Sequence, residues 1–147
     1  MDQVLLLIAE WHFPNAKRIY FDEESFDFVI NGKPRISRGK SLRAITHAAV
    51  STSLMEYCEE YQNPHPKFLV LDSPLLAYWK PEGDKDSLKG TDLEEKFYKY
   101  LIENHPDNQI IIIENKHPSD EFEEIRKVVF TKNPDEGRYG LFPYVEK

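Results

Sequence analysis

The sequence predicts an α/β fold: a mainly parallel sheet flanked by helices, with a β-hairpin near the N-terminus and a short β-hairpin at the C-terminus. Two observations carry that expectation. Strand and helix patterns alternate through the middle of the chain, the order that produces right-handed crossovers and parallel pairing. The stretch "QIIIIEN" holds four consecutive isoleucines, too apolar for a half-exposed strand, and is expected to be a central strand covered on both faces.

Residues 2–12 fit a short helix that stops at Pro14 and Asn15. In "KRIYFDEESFDFVINGKPR" apolar and polar residues alternate on either side of the acidic turn "DEES", and "NGKP" closes a hairpin. From Ser41 to about Tyr61 the apolar positions Leu42, Ile45, Ala49, Leu54, Cys58 and Tyr61 recur at mostly helical spacing until "NPHP" ends the helix. A strand follows over 67–72. The segment "AYWKPEGDKDSLKG" is polar and punctuated by Pro and Gly, so it reads as an exposed loop. Thr91 to Glu94 reads as a capping box opening a helix with Leu93, Phe97, Tyr100 and Leu101 on one face, and "HPDN" ends it. After the isoleucine strand, "SDEFEEIRK" reads as a short acidic helix, and "VVFTK" and "RYGLFPYV" as two strands around "NPDEG".

The chain has 147 residues, 40% hydrophobic and 13% aromatic, enough for one domain with a real core. A formal charge of -7 argues against a broad basic surface for DNA or an anionic membrane. Cys58 is the single cysteine, expected to be core packing, and a reducing cytoplasmic setting is the simplest reading. The opening "MDQVLLLIAEW" lacks a basic leader and a cleavage site, so no signal peptide is expected, and no stretch reaches the ~20 apolar residues of a membrane span. His12, His47, His65 and His105 show no metal-ligand spacing with Cys58 or with each other. No Gly-x-Ser-x-Gly elbow follows a strand. The acidic pairs Asp22 with Glu24 and Glu121 with Glu124 read as a solvated turn and a helix face.

Ligands of parallel sheets bind at the carboxyl ends of the strands. Here those ends are "LDSP" and "IENKHP". Asp72 closes "FLVLD" in the form of a Walker B strand, whose carboxylate holds the magnesium ion bridging nucleotide phosphates; a turn-forming Asp before Ser-Pro would look the same. Upstream, "ISRGKSLRAITHAAV" runs a Ser-x-Gly-Lys-Ser turn straight into a long helix, which suits either a phosphate contact or an ordinary N-cap.

Taken together, these motifs resemble the C-terminal ATPase lobe of ABC-type P-loop ATPases, specifically of SMC-like proteins, over roughly residues 17–131. In that resemblance "ISRGK" matches the signature "LSGGQ", placing Ser37 and Gly39 on its serine and second glycine, with Lys40 completing the motif. "LVLDSP" matches "LLLDEP", placing Asp72 on the magnesium aspartate and Ser73 on the catalytic glutamate. "IIIIENKHP" matches the switch strand, with Asn115 at the histidine's place and His117 two residues beyond. The resemblance implies a 17–147 lobe made of a signature turn and helix (36–61), a Walker B strand (67–74) and a switch strand (109–117), preceded by a 1–16 helix and linker continuing a coiled coil. It implies ATP and Mg2+ as ligands, Ser37 and Gly39 touching ATP on a partner head, Asp72 serving ATP on its own head, and DNA as the eventual target.

The sequence departs from that pattern in three places. No Gly-x-x-x-x-Gly-Lys-Ser/Thr loop occurs, so the resemblance implies a P-loop in an N-terminal half outside this sequence, the chain being a fragment, a split subunit or a truncated gene product. Ser73 cannot act as a carboxylate base, and Glu114, at the end of the neighbouring strand, is the candidate replacement; it reads equally as a solvated strand end. Asn115 stands where the switch histidine belongs. Two alternatives follow: a non-catalytic interaction module on a degenerate lobe, and a stand-alone magnesium-dependent phosphohydrolase using Asp72 and Glu114.

Overall fold

The computed structural model describes residues 2–11, 16–76, 92–119, 121–123 and 125–145. Among them are three α-helices and two small sheets. The fold is α/β, and the one parallel pair of strands among the described residues is the pair the sequence marks most strongly.

Helix α1 (Asp2–Glu10) buries Val4, Leu7, Ile8 and, just beyond its end, Trp11, positions that recur on one helical face. Strands β1 (Ile19–Asp22) and β2 (Asp27–Ile30) form the expected hairpin, with Ile19 opposite Ile30 and Asp22 opposite Asp27. Its tip is pinned by Asp22, whose Oδ2 accepts bonds from the Ser25 amide and hydroxyl. At its other end Asn31 and Gly32 both take positive φ, 51° and 73°, as a tight turn into β3 (Lys33–Pro34) requires. Asn31 Oδ1 accepts the amides of Lys17 and Arg18, closing the turn on the incoming chain.

Helix α2 (Lys40–Glu60) carries two apolar stripes. Leu42, Ile45, Ala49, Thr52 and Met55 are buried, whereas Leu54 and Tyr61, expected on the packed face, are 56% and 59% exposed, and Cys58 is only half-buried. Strand β4 (Phe68–Asp72), helix α3 (Leu93–Asn104) and strand β5 (Gln109–Ile113) follow. The expected capping box includes Thr91, which lies outside the described residues, as do His12 and the predicted loop 77–90. Leu93, Phe97, Tyr98 and Leu101 of α3 enter the core, where Trp11 meets Phe97 edge-on at 4.9 Å and Tyr100 at 5.9 Å.

Strands β4 and β5 pair in parallel, Phe68 with Gln109 through Asp72 with Ile113. Their inner face packs Leu71, Ile110 and Ile112 against the core. The outer face leaves Phe68, Val70, Ile111 and Ile113 exposed. The isoleucine strand is therefore covered on one face among the described residues, not on both.

Two expected elements differ. Residues 119–125 make turns, not a helix, in the described positions; Phe122 and Ile125 nonetheless lean on the core. The expected C-terminal hairpin is reduced to an isolated bridge between Phe130 and Arg138, and that bridge is parallel, a direction a hairpin cannot have. Thr131 organises this segment instead, donating its amide to Arg138 O and its hydroxyl to Glu136 O. With Val128, Val129, Phe130, Leu141 and Phe142 all exposed, no packed layer among the described residues holds a hairpin in register.

Candidate functional site

Parallel pairing brings the two strand tips together at one end of β4 and β5. Asp72 stands opposite Ile113, so the residue after each, Ser73 and Glu114, begins a turn at the same edge. Ser73 continues the ladder by donating its amide to Ile113 O at 2.8 Å. It does so with φ 50°, left-handed backbone that serine adopts at a cost of about 1 kcal/mol or more. The chain then turns tightly, the Leu76 amide reaching Ser73 O at 3.1 Å. Ser73 Oγ donates to Asp72 Oδ1 at 2.9 Å, so the side chain at the expected glutamate position addresses the aspartate itself. Asp72 is exposed.

Glu114 is half-buried and is not a freely solvated strand end. Its Oε1 accepts the Leu75 amide at 2.8 Å, which clamps the turn after β4 to the end of β5. Burial pushes its carboxyl above the ordinary 4.5, the Leu75 and Asn115 amides pull it back, and the charges of Asp72 and Glu94 push it up again. Glu94 on α3 is also held above its ordinary value by burial, although the Ser119 amide donates to it at 3.1 Å. Burial, followed by the charges of Glu114 and Glu94, raises the Tyr98 hydroxyl as well. The carboxyl edge thus sets the three acids Asp72, Glu114 and Glu94 beside the neutral hydroxyls of Ser73 and Tyr98, the kind of environment that suits a proton acceptor or a cation.

Asn115 and His117 are just past the tip of β5, His117 exposed. Ser37, Gly39 and Lys40 lie elsewhere. A single 3-10 turn (Arg35–Ser37) precedes α2, whose N-cap is Gly39. Asp27 accepts Arg35 at 2.7 Å and ties this turn to β2. The Ser37 hydroxyl donates to Pro34 O. Asn108, just before β5, donates to Met55 Sδ and Glu59 Oε1, fixing the far end of α2 at the amino end of the sheet. The Ser37–Lys40 turn is thus placed where the N-terminal hairpin meets the start of α2.

Magnesium at a nucleotide takes one or two carboxylates and completes its shell with phosphate oxygens and water. Among the described residues no three His, Cys, Asp or Glu side chains are placed to hold a metal on their own. The described residues at this edge do not make a self-sufficient metal centre; Asp72 could hold such an ion only together with phosphates supplied by a loop this sequence does not contain.

The pattern of the sequence conceals a second polar cluster. Glu56 accepts bonds from Gln3 on α1, from the Tyr100 hydroxyl on α3, and from His105 Nε2 at 3.1 Å. Burial works against its charge, yet His105, Tyr100 and Gln3 together hold its carboxyl below the ordinary 4.5. The signal was present in the spacing: Leu42, Ile45, Ala49, Thr52 and Glu56 continue one helical stripe, and a glutamate on a buried stripe demands donors.

Known protein families, curated proteins and solved structures contain no match to this chain.

Proposed function

We propose that this chain is the C-terminal half of an SMC-like ATPase head, and that nucleotide binds at the carboxyl edge of β4 and β5 once a P-loop-bearing half joins it. In this reading the sheet is the visible part of a larger, mainly parallel one. The observation that carries it is the register: Asp72 and Glu114 occupy adjacent strand tips, so a metal-holding carboxylate and a half-buried carboxylate of raised pKa share one edge. The exposed outer face of the same two strands supports it, because parallel sheets are ordinarily covered on both faces.

Each residue then has a task. Asp72 would hold the magnesium ion, which supplies charge neutralisation at the phosphates. Glu114 would take the proton of the attacking water, a role for which its raised pKa suits it, while Ser73 orients Asp72. Asn115 and His117 would sit beside the terminal phosphate. Ser37, Gly39 and Lys40, at the turn that opens α2, would contact ATP held by a second head, so that hydrolysis is coupled to head pairing and, through a coiled coil, to DNA. The Ser73 to Asp72 hydrogen bond also favours a second reading, a non-catalytic interaction module on a degenerate lobe, since it occupies the aspartate where a catalytic glutamate would stand.

Pairing separates the two. Co-expressed with a P-loop half, the chain should form ATP-dependent dimers of heads by analytical ultracentrifugation. Ser37→Trp should abolish pairing and leave ATP binding to single heads intact. Dimers that persist in that variant contradict the signature role.

A further inference from the structure

The second stripe of α2 has no place in the nucleotide reading. Val50, Leu54, Tyr57 and Tyr61 are spaced by four, three and four residues, the d-a-d-a seam of a heptad repeat. Leu54, Tyr57 and Tyr61 are each more than half exposed, and the rings of Tyr57 and Tyr61 lie 4.6 Å apart along the seam. Val50, Leu54 and Tyr57 of the seam form one wall of an open groove of about 650 Å³, and Tyr61 continues the seam past the lining; Phe21 and Phe28 of the hairpin, edge-on at 5.3 Å, face it, and Val4 of α1 adds to its lining.

Charge identifies what fits there. Glu56, Glu59 and Glu60 line the groove, and among the described residues no Lys or Arg does. Residues 2–10, 19–30 and 48–61, which supply most of the lining, carry nine Asp and Glu residues and not one Lys or Arg; Tyr100, Asn104 and His105 are added from the end of α3. His105, the one group of the lining that can carry positive charge, is turned to Glu56. Arg18 stacks over Tyr20, which points from β1 to the side opposite Phe21. The carboxylates repel anionic membranes and nucleic acid, and half-exposed walls suit a broad rod more than a small enclosed ligand.

We infer that this groove docks a basic amphipathic helix from a partner protein, its apolar side laid along Val50, Leu54 and Tyr57 and its Lys or Arg residues over Glu59 and Glu60. Helix-in-groove recognition of this kind reads apolar anchors at heptad spacing, and opposite charge at the rim sets orientation and partner choice. The site is independent of the nucleotide edge and stands if that reading fails.

The test uses the full chain and a labelled synthetic peptide of about five helical turns, built of Leu and Lys with the Leu residues on one face, followed by fluorescence anisotropy. Two controls share its length: the same residues scrambled so that no apolar face forms, and a Leu/Glu version. The Leu/Lys helix should bind, and affinity should fall about tenfold or more when salt shortens charge interactions from low to high ionic strength. Leu54→Ser and Glu60→Lys, both at exposed positions, should each weaken binding by about tenfold, with circular dichroism confirming that the helices are kept. Lys99→Glu on α3 should leave binding unchanged. Equal binding of the scrambled peptide would reduce the groove to nonspecific charge and overturn the inference. So would tight binding of the Leu/Glu helix, or wild-type affinity in both groove variants.

Discussion

The two ends of the β4/β5 pair hold carboxylates in opposite circumstances. At the amino end Glu56 is surrounded by donors from two other elements: Gln3 of α1, and Tyr100 and His105 at the end of α3. At the carboxyl end Glu114 has two backbone amides but faces Asp72 and Glu94, and all three are acids. The amino end uses its charge to fasten α1, α2 and the end of α3 together, so its polar groups hold the fold. The carboxyl end sets three like charges close together, next to a serine in left-handed backbone, although Glu114 also clamps the turn after β4 and Glu94 accepts the Ser119 amide. In the ATPase reading this is the edge that receives the nucleotide.

Breaking the amino end should have the larger effect. Glu56→Ala strips the acceptor from Tyr100 and His105, which then lose that partner in a part-buried setting, and should lower stability by about 2 to 3 kcal/mol, read from urea unfolding monitored by circular dichroism. Glu114→Gln keeps an acceptor for the Leu75 amide and removes one of the crowded charges. It should change stability at neutral pH by less than about 1 kcal/mol, with any change a gain.

The pH dependence sharpens the contrast, because the signs oppose. Glu56 has a folded pKa below 4.5, so its stabilisation is present above that value and disappears as pH falls through the lower, folded pKa. Glu114 has a folded pKa above 4.5. Its ionisation therefore costs stability, beginning as pH rises past the ordinary value and complete above the folded one. Urea midpoints measured across this range should show that Glu56→Gln flattens the acid-side loss, whereas Glu114→Gln flattens the decline at higher pH. The same sign of change in both variants would erase the distinction between the two ends.

Periodicity made the regular elements legible. The hairpin, α2, the parallel strands and α3 are where the alternation, the 3.6-residue stripes and the isoleucine run put them, because each of those patterns has one packing solution. The tips were legible for the same reason: once β4 and β5 pair in parallel, Asp72 and Glu114 must meet. Three things were not. A stripe containing Leu54 and Tyr61 reads as core from spacing alone, and only the packed structure shows that both are exposed and that Leu54 faces a groove beside the hairpin. "VVFTK" and "RYGLFPYV" have strand composition, but a strand needs a pairing edge, and Thr131 and the parallel Phe130 bridge give this segment a different local solution. The role of Glu56 required knowing that Gln3, Tyr100 and His105, distant in sequence, converge on it.

The described residues include no helix long and apolar enough to cross a membrane. The exposed face of Phe68, Val70, Ile111 and Ile113 is, in the ATPase reading, the surface the P-loop half covers, which joins completion of the sheet and completion of the site in one event.

Magnesium-dependent ATP binding tests that link most directly. Titrating a fluorescent ATP analogue into this chain alone, into the chain joined with a P-loop half, and into the joined Asp72→Asn variant, with and without Mg2+, isolates the contribution of the strand tip. The expected result is no binding by the chain alone, binding by the joined halves, and about a tenfold or greater loss in Asp72→Asn that emerges only when Mg2+ is present. Equal affinity of the joined wild-type halves and the joined Asp72→Asn variant at every Mg2+ concentration would contradict it.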